Sequence, residues 1–516
     1  MWEPPQRLVH ESLLNSAAEV PDKQAVVDEY GSRTWAELAD DATRFARLLQ
    51  DSGLERGDRV ALYLDNTALA ASAIFGTLLA GGAFTFVNPQ TKAPKLAFIL
   101  NDSGAKFLVA EAHSSAIAEE AVGNAPGVQQ TFTTDAYQQA IAAAEPDPRA
   151  AGSIPLDMAA LVYTSGTTGD PKGVMMSHGA LVFSVDSIAE YLQLTRDDRI
   201  LSILPMAFTY GLSQLLLAAR LGMTLSLERS FTFPAKTLAR IREEQPTVFP
   251  AVPTVYATIL SMSADATYPS LRCLTNAAAG LPPALHEGIA RVFPNADLYR
   301  MYGQTECIRI CYLDPALVDA KPTSVGKAIP GTEAFVLDDL GRPVEAGETG
   351  VLHVRGPHLM MGYWNAPELT AEKLKQGALP GERVMSTHDH FTVDADGDLY
   401  FVDRSDDIIK TRGEKVSSVE VENVLHDIDG VRQAAVIGVP DELLGQAVKA
   451  FVLLDDGAQL TELEVIRACR AKLENFMVPK EVVFAAELPH TDSGKIRKKT
   501  LLEAELAGKP DQKASV

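Results

Sequence analysis

The chain has 516 residues and carries 46 Lys and Arg against 68 Asp and Glu, a net charge of −22 with a pI near 4.9. An apolar fraction of 46% and a charged fraction of 22% are ordinary for a globular chain with a large core and exclude a disordered one. The acidic balance argues against nucleic acid as the main partner, because displacing counterions from a polyanion needs a basic footprint, although a local basic pocket stays open. At ~150 residues per domain the length predicts roughly three domain-sized pieces arranged as two bodies. Cys273, Cys307, Cys311 and Cys469 are too few and too scattered for a disulfide framework or a paired zinc site, so reduced thiols are expected. The opening MWEPPQRLVHESLL lacks the positive lead of a secretory signal, and the apolar runs break well before the ~20 residues needed to span a bilayer. These features predict a soluble cytoplasmic protein.

In chain order, Thr34 to Leu49 has apolar residues at helical spacing, DRVALYL reads as a buried strand, Ala68 to Leu79 is helical, and GGAFTFVNP is again strand-like. The alternation continues through AKFLVAEA, LDMAALVYTSG, DRILSILPMAF, GMTLSLERSF, TVFPAVP and LRCLTNAAAG, which predicts an α/β body with largely parallel, buried strands. Residues 142–153 read as a surface connection within it. After about residue 315, SVGKAIPGTEAFVLDD, ETGVLHVRG and GDLYFVD are strand-like and separated by turns, which predicts a β-rich subdomain. Beyond Arg404, VSSVEVENVLHDI is helical, VRQAAVIGVP and QAVKAFVLL are strands, LTELEVIRACRAKL is helical and KEVVFAAELP is a strand, the order of a small α+β domain. The expected division is therefore residues 1–404 as a large body and 405–516 as a small C-terminal one, with the tail AGKPDQKASV frayed. No fixed-period repeat is visible.

The stretch Tyr163 to Gly173, YTSGTTGDPKG, follows an apolar run. Small hydroxyl residues and glycines let a loop turn its N–H groups to a phosphate, with Lys172 to neutralise charge. A plain surface turn has the same composition, and the spacing is not that of the common triphosphatase loop, so the stretch alone leaves both readings open. Downstream stand AAAGLPP (Ala277 to Pro283), MYGQTE (Met301 to Glu306), Thr387-His388-Asp389, DRSDDIIKTRGEKVSSVEVE (Asp403 to Glu422) and PHTDSGKIRKK (Pro489 to Lys499). With these motifs, in this order and over essentially the whole chain, the sequence resembles the adenylate-forming superfamily of acyl-CoA synthetases, nonribosomal adenylation domains and beetle luciferases.

The resemblance implies attack of a carboxylate on the α-phosphate of ATP with release of pyrophosphate, a reaction that needs positioning and charge neutralisation more than covalent help. By that resemblance Thr164, Ser165, Gly166, Thr167, Thr168, Gly169 and Lys172 cradle the β- and γ-phosphates. Thr305 bonds the α-phosphate, and Glu306 holds Mg²⁺, a cation suited to carboxylate oxygen. Ala279, Gly280, Leu281 and Tyr302 bracket the adenine. Asp389, aided by Arg404, takes the ribose hydroxyls. Lys495 reaches the carboxylate and α-phosphate when the small domain closes. That domain would rotate about a hinge at Asp406, bringing the loop around Gly413 to the site so that the thiol of coenzyme A, or of a carrier protein, attacks the acyl-adenylate. A chain confined to one half-reaction, or a nucleotide-binding partner without catalysis, is the alternative. The oligomeric state, monomer or homodimer, is open.

Two positions depart from the family pattern: His388 and Asp403 stand where relatives commonly have glycine. Glycine serves where φ is positive or backbones approach closely, and Asp403 also adds negative charge near a polyphosphate. His388, Asp389 and His390 could be read as metal ligands but lack a further ligand nearby in sequence, and no Gly-x-Ser-x-Gly nucleophile elbow is present. In PMAFTYGLSQ, Phe208, Tyr210 and Gly211 match the region that lines the acyl pocket, and Phe208, Tyr210 and Leu212 could equally be core. An aromatic ring where amino-acid-activating relatives carry Asp leaves no partner for a buried ammonium, so an apolar or aryl acid is expected rather than an α-amino acid. Arg309, just beyond MYGQTEC, could pair a second carboxylate or polar group, but a solvent-facing side chain is the expected reading.

Overall fold

The computed structural model describes residues 6–164, 171–263, 266–404, 409–411, 414–441, 444–473, 476–491 and 495–507. Among them lie three sheets, of 14, 7 and 5 strands. The α/β body and the smaller α+β unit at the C-terminal end correspond to the sequence expectation. No helix among the described residues is long and apolar enough to cross a membrane.

Helix Trp35–Asp51 shows how the body is built. Thr34 and Glu37 cap it reciprocally, Thr34 Oγ1 accepting from Glu37 N at 3.2 Å and Glu37 Oε2 accepting from Thr34 N at 2.8 Å. Trp35, Leu38, Ala42, Phe45, Ala46 and Leu49 then fall on one buried stripe. That stripe meets helix Ala68–Leu79, whose Gly76 lies directly on the partner backbone: a Cβ there would stand 2.8 Å from Ala42 O and 2.9 Å from Phe45.

The largest sheet has a parallel core, with Cys273–Asn276 between Val248–Ala251 and Asp297–Tyr302. After Tyr302 the pairing turns antiparallel, through Cys311–Leu313 and Ser324–Ala328 to Leu399–Arg404. The β-rich stretch after residue 315 thus continues the parallel sheet. In the second sheet, Arg59–Tyr63, Ala83–Phe86 and Ala105–Ala110 run parallel. Met158–Thr164 then folds back on Lys172–Ser177. Gly362–Tyr363, which follows Thr349–Arg355 of the first sheet, pairs with Lys172–Ser177 of the second. The chain therefore crosses between the two sheets at that point, and the site lies beside it.

The third sheet pairs Val431–Asp441 with Gly445–Leu454, and the latter runs parallel to Glu481–Phe484. Helices Ser418–His426 and Glu462–Lys472 bury Val421, Leu425, Val465 and Cys469 in a separate core. A further helix, Lys498–Ala507, which the sequence reading did not anticipate, packs against Val431–Asp441. All four cysteines are free and buried. Burial pushes the thiols of Cys273 and Cys307 up to about 12 and that of Cys469 up to about 11.

Because the Gly76 contact is with backbone, it cannot be relieved by a rotamer change. Gly76→Val is expected to lower stability by about 2 kcal/mol, read as a drop in the urea midpoint with an unchanged slope.

Candidate active site

The turn 303–306 leaves strand Asp297–Tyr302 at its carboxyl end, the end at which open α/β sheets bind ligands. Tyr302 donates its hydroxyl to Asp389 Oδ2, and Gln304 Nε2 donates to the same oxygen at 2.9 Å and to Thr387 O at 3.0 Å. Asp389 is 3% exposed, so these bonds hold a carboxylate that burial would otherwise penalise. The Tyr302 ring lies on Phe391 and Phe401, 4.9 and 6.1 Å between centres. Asp389 faces Arg404 across the ladder of Arg383–Val393 and Leu399–Arg404. The predicted nucleoside residues Tyr302 and Asp389 are thus in direct contact.

Glu306 ends the turn. Its Oε1 accepts the Tyr363 hydroxyl at 2.6 Å, and its carbonyl accepts Met360 N at 2.7 Å. Burial, together with the Glu306 charge, raises the Tyr363 phenol far above its ordinary range, so it stays a donor. Tyr363 pairs in register with Val174, and Trp364 N donates to Gly173 O at 2.8 Å. Gly173 has no room for a side chain, since a Cβ would meet Leu161 at 2.9 Å and Trp364 and Tyr163 at 3.3 Å. Beside it Thr164 and Lys172 face each other at the base of the predicted phosphate loop. Asp102 fixes that base from behind: its carboxylate accepts Tyr163 Oη at 2.5 Å and its carbonyl accepts Trp364 Nε1 at 2.8 Å. Ser165, Gly166, Thr167, Thr168 and Gly169 lie outside the described residues, as do Asp406 and Gly413.

In the predicted adenine loop Ala279 and Gly280 are exposed, Ala278 stands at φ +72°, and Leu281 is buried with its carbonyl accepting Arg300 Nη2 at 3.2 Å. Burial pulls Arg300 down to about 10. Phe208 precedes helix Thr209–Leu221, and Tyr210 holds Thr275 through its hydroxyl, 2.6 Å from Oγ1 and 2.9 Å from the carbonyl oxygen. Gly211 is required, because a Cβ would stand 2.2 Å from Pro205 O. Lys495 lies in a turn of the small unit in which Thr491 N donates to Lys495 O at 2.6 Å and Lys495 N to Thr491 Oγ1 at 3.1 Å.

Arg309 does not face solvent. It is 3% exposed, with its guanidinium carbon 5.2 Å from the centre of the Tyr210 ring. His388 stands at φ +60°, so this departure from glycine falls where glycine is conformationally favoured. Asp403 is different. It lies in the strand Leu399–Arg404 outside the positive-φ region, and its Oδ2 accepts from Ser418 N at 2.6 Å and Ser418 Oγ at 2.8 Å. The charge expected near a polyphosphate is instead directed at the N-terminus of helix Ser418–His426, where the helix dipole favours it. Lys498 Nζ completes the cluster, 2.5 Å from Ser418 Oγ and 2.9 Å from Glu422.

The sequence reading missed Gln304, Tyr363 and Asp102. Tyr363 and Glu306 are 57 positions apart with nothing in the spacing to join them. Groups of acidic and histidine side chains close enough to hold a cation are Asp65, Glu111 and His113, and Asp394, Asp396 and Asp398, among the described residues. The His388 to His390 stretch is not one of them. The Asp394 group surrounds the Lys321 ammonium at 2.8, 2.8 and 2.6 Å.

Residues 13–364 match the family described as AMP-binding enzyme, and residues 420–495 match the AMP-binding enzyme C-terminal domain. The chain is 35% identical over 476 residues to feruloyl-CoA synthase of Amycolatopsis sp, covering 90% of this chain and 92% of that protein. It is 30% identical over 550 residues to the long-chain-fatty-acid–CoA ligase of Bacillus subtilis, covering 97% and 95%. The crystal structure of ATP-bound MatB from Rhodopseudomonas palustris superposes with a TM-score of 0.88 at 28% identity, covering 96% of this chain and 98% of that one.

A non-glycine residue in the left-handed region costs about 1–2 kcal/mol, and glycine gives back part of this through the freedom of the unfolded chain. His388→Gly is therefore expected to stabilise the protein by about 0.5 kcal/mol, seen as a higher melting temperature.

Proposed function

The chain belongs to the family of AMP-binding enzymes, and we propose that it works as an AMP-forming acid–CoA ligase. A carboxylate oxygen of the acid attacks the α-phosphorus of ATP, pyrophosphate leaves, and the thiol of coenzyme A then attacks the acyl carbon of the adenylate with AMP as leaving group. One observation carries this reading. In the turn 303–306 Gln304 bonds Asp389 and Glu306 bonds Tyr363, which supports a reading in which the nucleoside and phosphate ends of the substrate are received in one rigid relation. Relatives matched over nearly their whole length carry acyl-CoA ligase names, which does not favour loading of a carrier protein or binding without catalysis.

In this reading Thr164, Lys172 and the loop Ser165 to Gly169 between them take the leaving phosphates, and Thr305 takes the α-phosphate. Ala279, Gly280, Leu281 and Tyr302 bracket the adenine, while Asp389 and Arg404 hold the ribose. Glu306 suits Mg²⁺: a half-buried carboxylate oriented by a tyrosine hydroxyl is a hard oxygen donor with a fixed direction. Bound there, the ion would neutralise phosphate charge. The chain divides after Arg404, with Asp406 as hinge. Closure brings Lys495, a compact and mobile positive charge, to the reacting oxygens, and rotation brings Gly413 towards the thiol. The relatives are named for a fatty acid and for ferulate, and the aromatic lining at Phe208 and Tyr210 supports an apolar or aryl skeleton. Four free thiols support a cytoplasmic location.

The test is acid-dependent exchange of labelled pyrophosphate into ATP across fatty, aryl, dicarboxylic and amino acids. Exchange with an apolar or aryl acid is expected, and Lys495→Ala should lower it by about 10²–10³-fold. Failure of every acid would overturn the reading. Tyr363→Phe removes the bond that orients Glu306, and is expected to weaken the apparent Mg²⁺ affinity in the same assay by about tenfold.

A further inference from the structure

The turn that leaves the site carries an uncommon backbone. Ile308 stands at φ +62°, and Arg309 N donates to Cys307 O at 2.6 Å, an i→i+2 γ-turn of the positive-φ kind. That conformation is strained, most of all for a β-branched residue. The surrounding structure enforces it from below. A Cβ on Gly303 would stand 2.4 Å from Ile308 O and 2.9 Å from Arg309 Cα, so the two backbones are stacked. Strain of this kind is kept where a site over-determines it, and here it turns the Arg309 side chain inward three residues past Glu306.

The surroundings of Arg309 do not match its charge. Tyr210 lies under the guanidinium at 5.2 Å, and Tyr191 is a neutral hydroxyl within hydrogen-bonding reach of the cation, which opposes the burial-driven rise of that phenol. Nε has no hydrogen-bond partner. No carboxylate among the described residues pairs with this arginine. Arg240 shows the usual arrangement, bonded to Glu228 at 3.0 Å and Glu244 at 2.6 Å. An aromatic face offsets part of the desolvation of a buried cation, but a counter-charge offsets far more. Tyr210, the ring it covers, belongs to the helix start assigned to the acyl pocket.

We propose that Arg309 selects the substrate: its guanidinium pairs a second, distal acidic group, so that the acid activated is a dicarboxylic acid on an apolar or aryl skeleton. This rests on the acid–CoA ligase reading, with the reacting carboxylate at the opposite end, beside Thr305 and Lys495. The bidentate geometry of arginine suits a carboxylate better than a hydroxyl or an amide.

Pyrophosphate exchange with aliphatic and aryl dicarboxylic acids, each beside its own monomethyl ester, tests this. The ester keeps the skeleton and removes the distal charge. Losing one partner of a buried charge pair predicts that the wild type favours a diacid over its ester by about 30-fold or more in kcat/KM. Arg309→Met should bring that ratio close to one, chiefly through the diacid KM, and Arg309→Lys should restore part of it. The ratio is read within each preparation, so a loss of folded protein does not move it. A wild type that uses esters or monocarboxylic acids as well as diacids overturns the inference, as does a ratio unchanged in Arg309→Met, and either result leaves the ligase reading standing. Absence of exchange with any acid overturns both.

Discussion

The buried carboxylate of Asp389 sets the geometry of the site. A carboxylate almost removed from water must be paired, and Tyr302 and Gln304, which both donate to it, lie on the strand end and turn that lead to Thr305 and Glu306. Once Asp389 fixes that turn against the antiparallel half of the large sheet, Glu306 is fixed as well. Glu306 in turn holds Tyr363, Tyr363 sits on the second sheet, and Trp364 closes onto Gly173. A single run of hydrogen bonds thus links Asp389 and the strand end at Tyr302 to Gly173, beside Lys172, which lies in a different sheet. Catalysis by positioning requires that kind of rigidity.

Much of this was legible in the sequence. Helix Trp35–Asp51 was readable because its apolar periodicity and its threonine cap agree, and Ala68–Leu79 because it is a nearly continuous apolar run behind Thr67. The parallel strands were readable because they are short β-branched runs. Strand Arg383–Val393 was not, since its inward positions include Ser386, Thr387 and Asp389 in place of an apolar alternation. Lys172–Ser177 was hidden behind the loop motif it completes. The departures at His388 and Asp403 could be seen, but their meanings separate only in three dimensions. One is a backbone problem in the left-handed region. The other is a hydrogen-bonding solution for a helix whose N-terminus arrives 15 positions later. Arg309 was misplaced for a general reason: charge alone places an arginine outside, and nothing in a single sequence announces the γ-turn at Ile308 that turns it in.

The bond between Asp403 and Ser418 also defines how the two parts of the chain meet. Asp403 is the last strand position but one before the segment 405–408, and Ser418 is the first residue of a helix beyond it. A charge-assisted pair of hydrogen bonds therefore straddles the junction, with Lys498 from the final helix adding a cation to the same cluster. The described contact at this junction is made by chemistry in the two flanking elements.

The four buried cysteines have a consequence for an enzyme whose second substrate is itself a thiol. Such a substrate is accompanied in solution by its disulfide, and disulfide exchange proceeds only through a thiolate. A thiol that burial pushes up, as at Cys273 and Cys307, stays protonated at neutral pH. Burial also denies the attacking geometry. The protein can therefore work in contact with oxidised and reduced forms of its own acyl acceptor without becoming covalently attached to either.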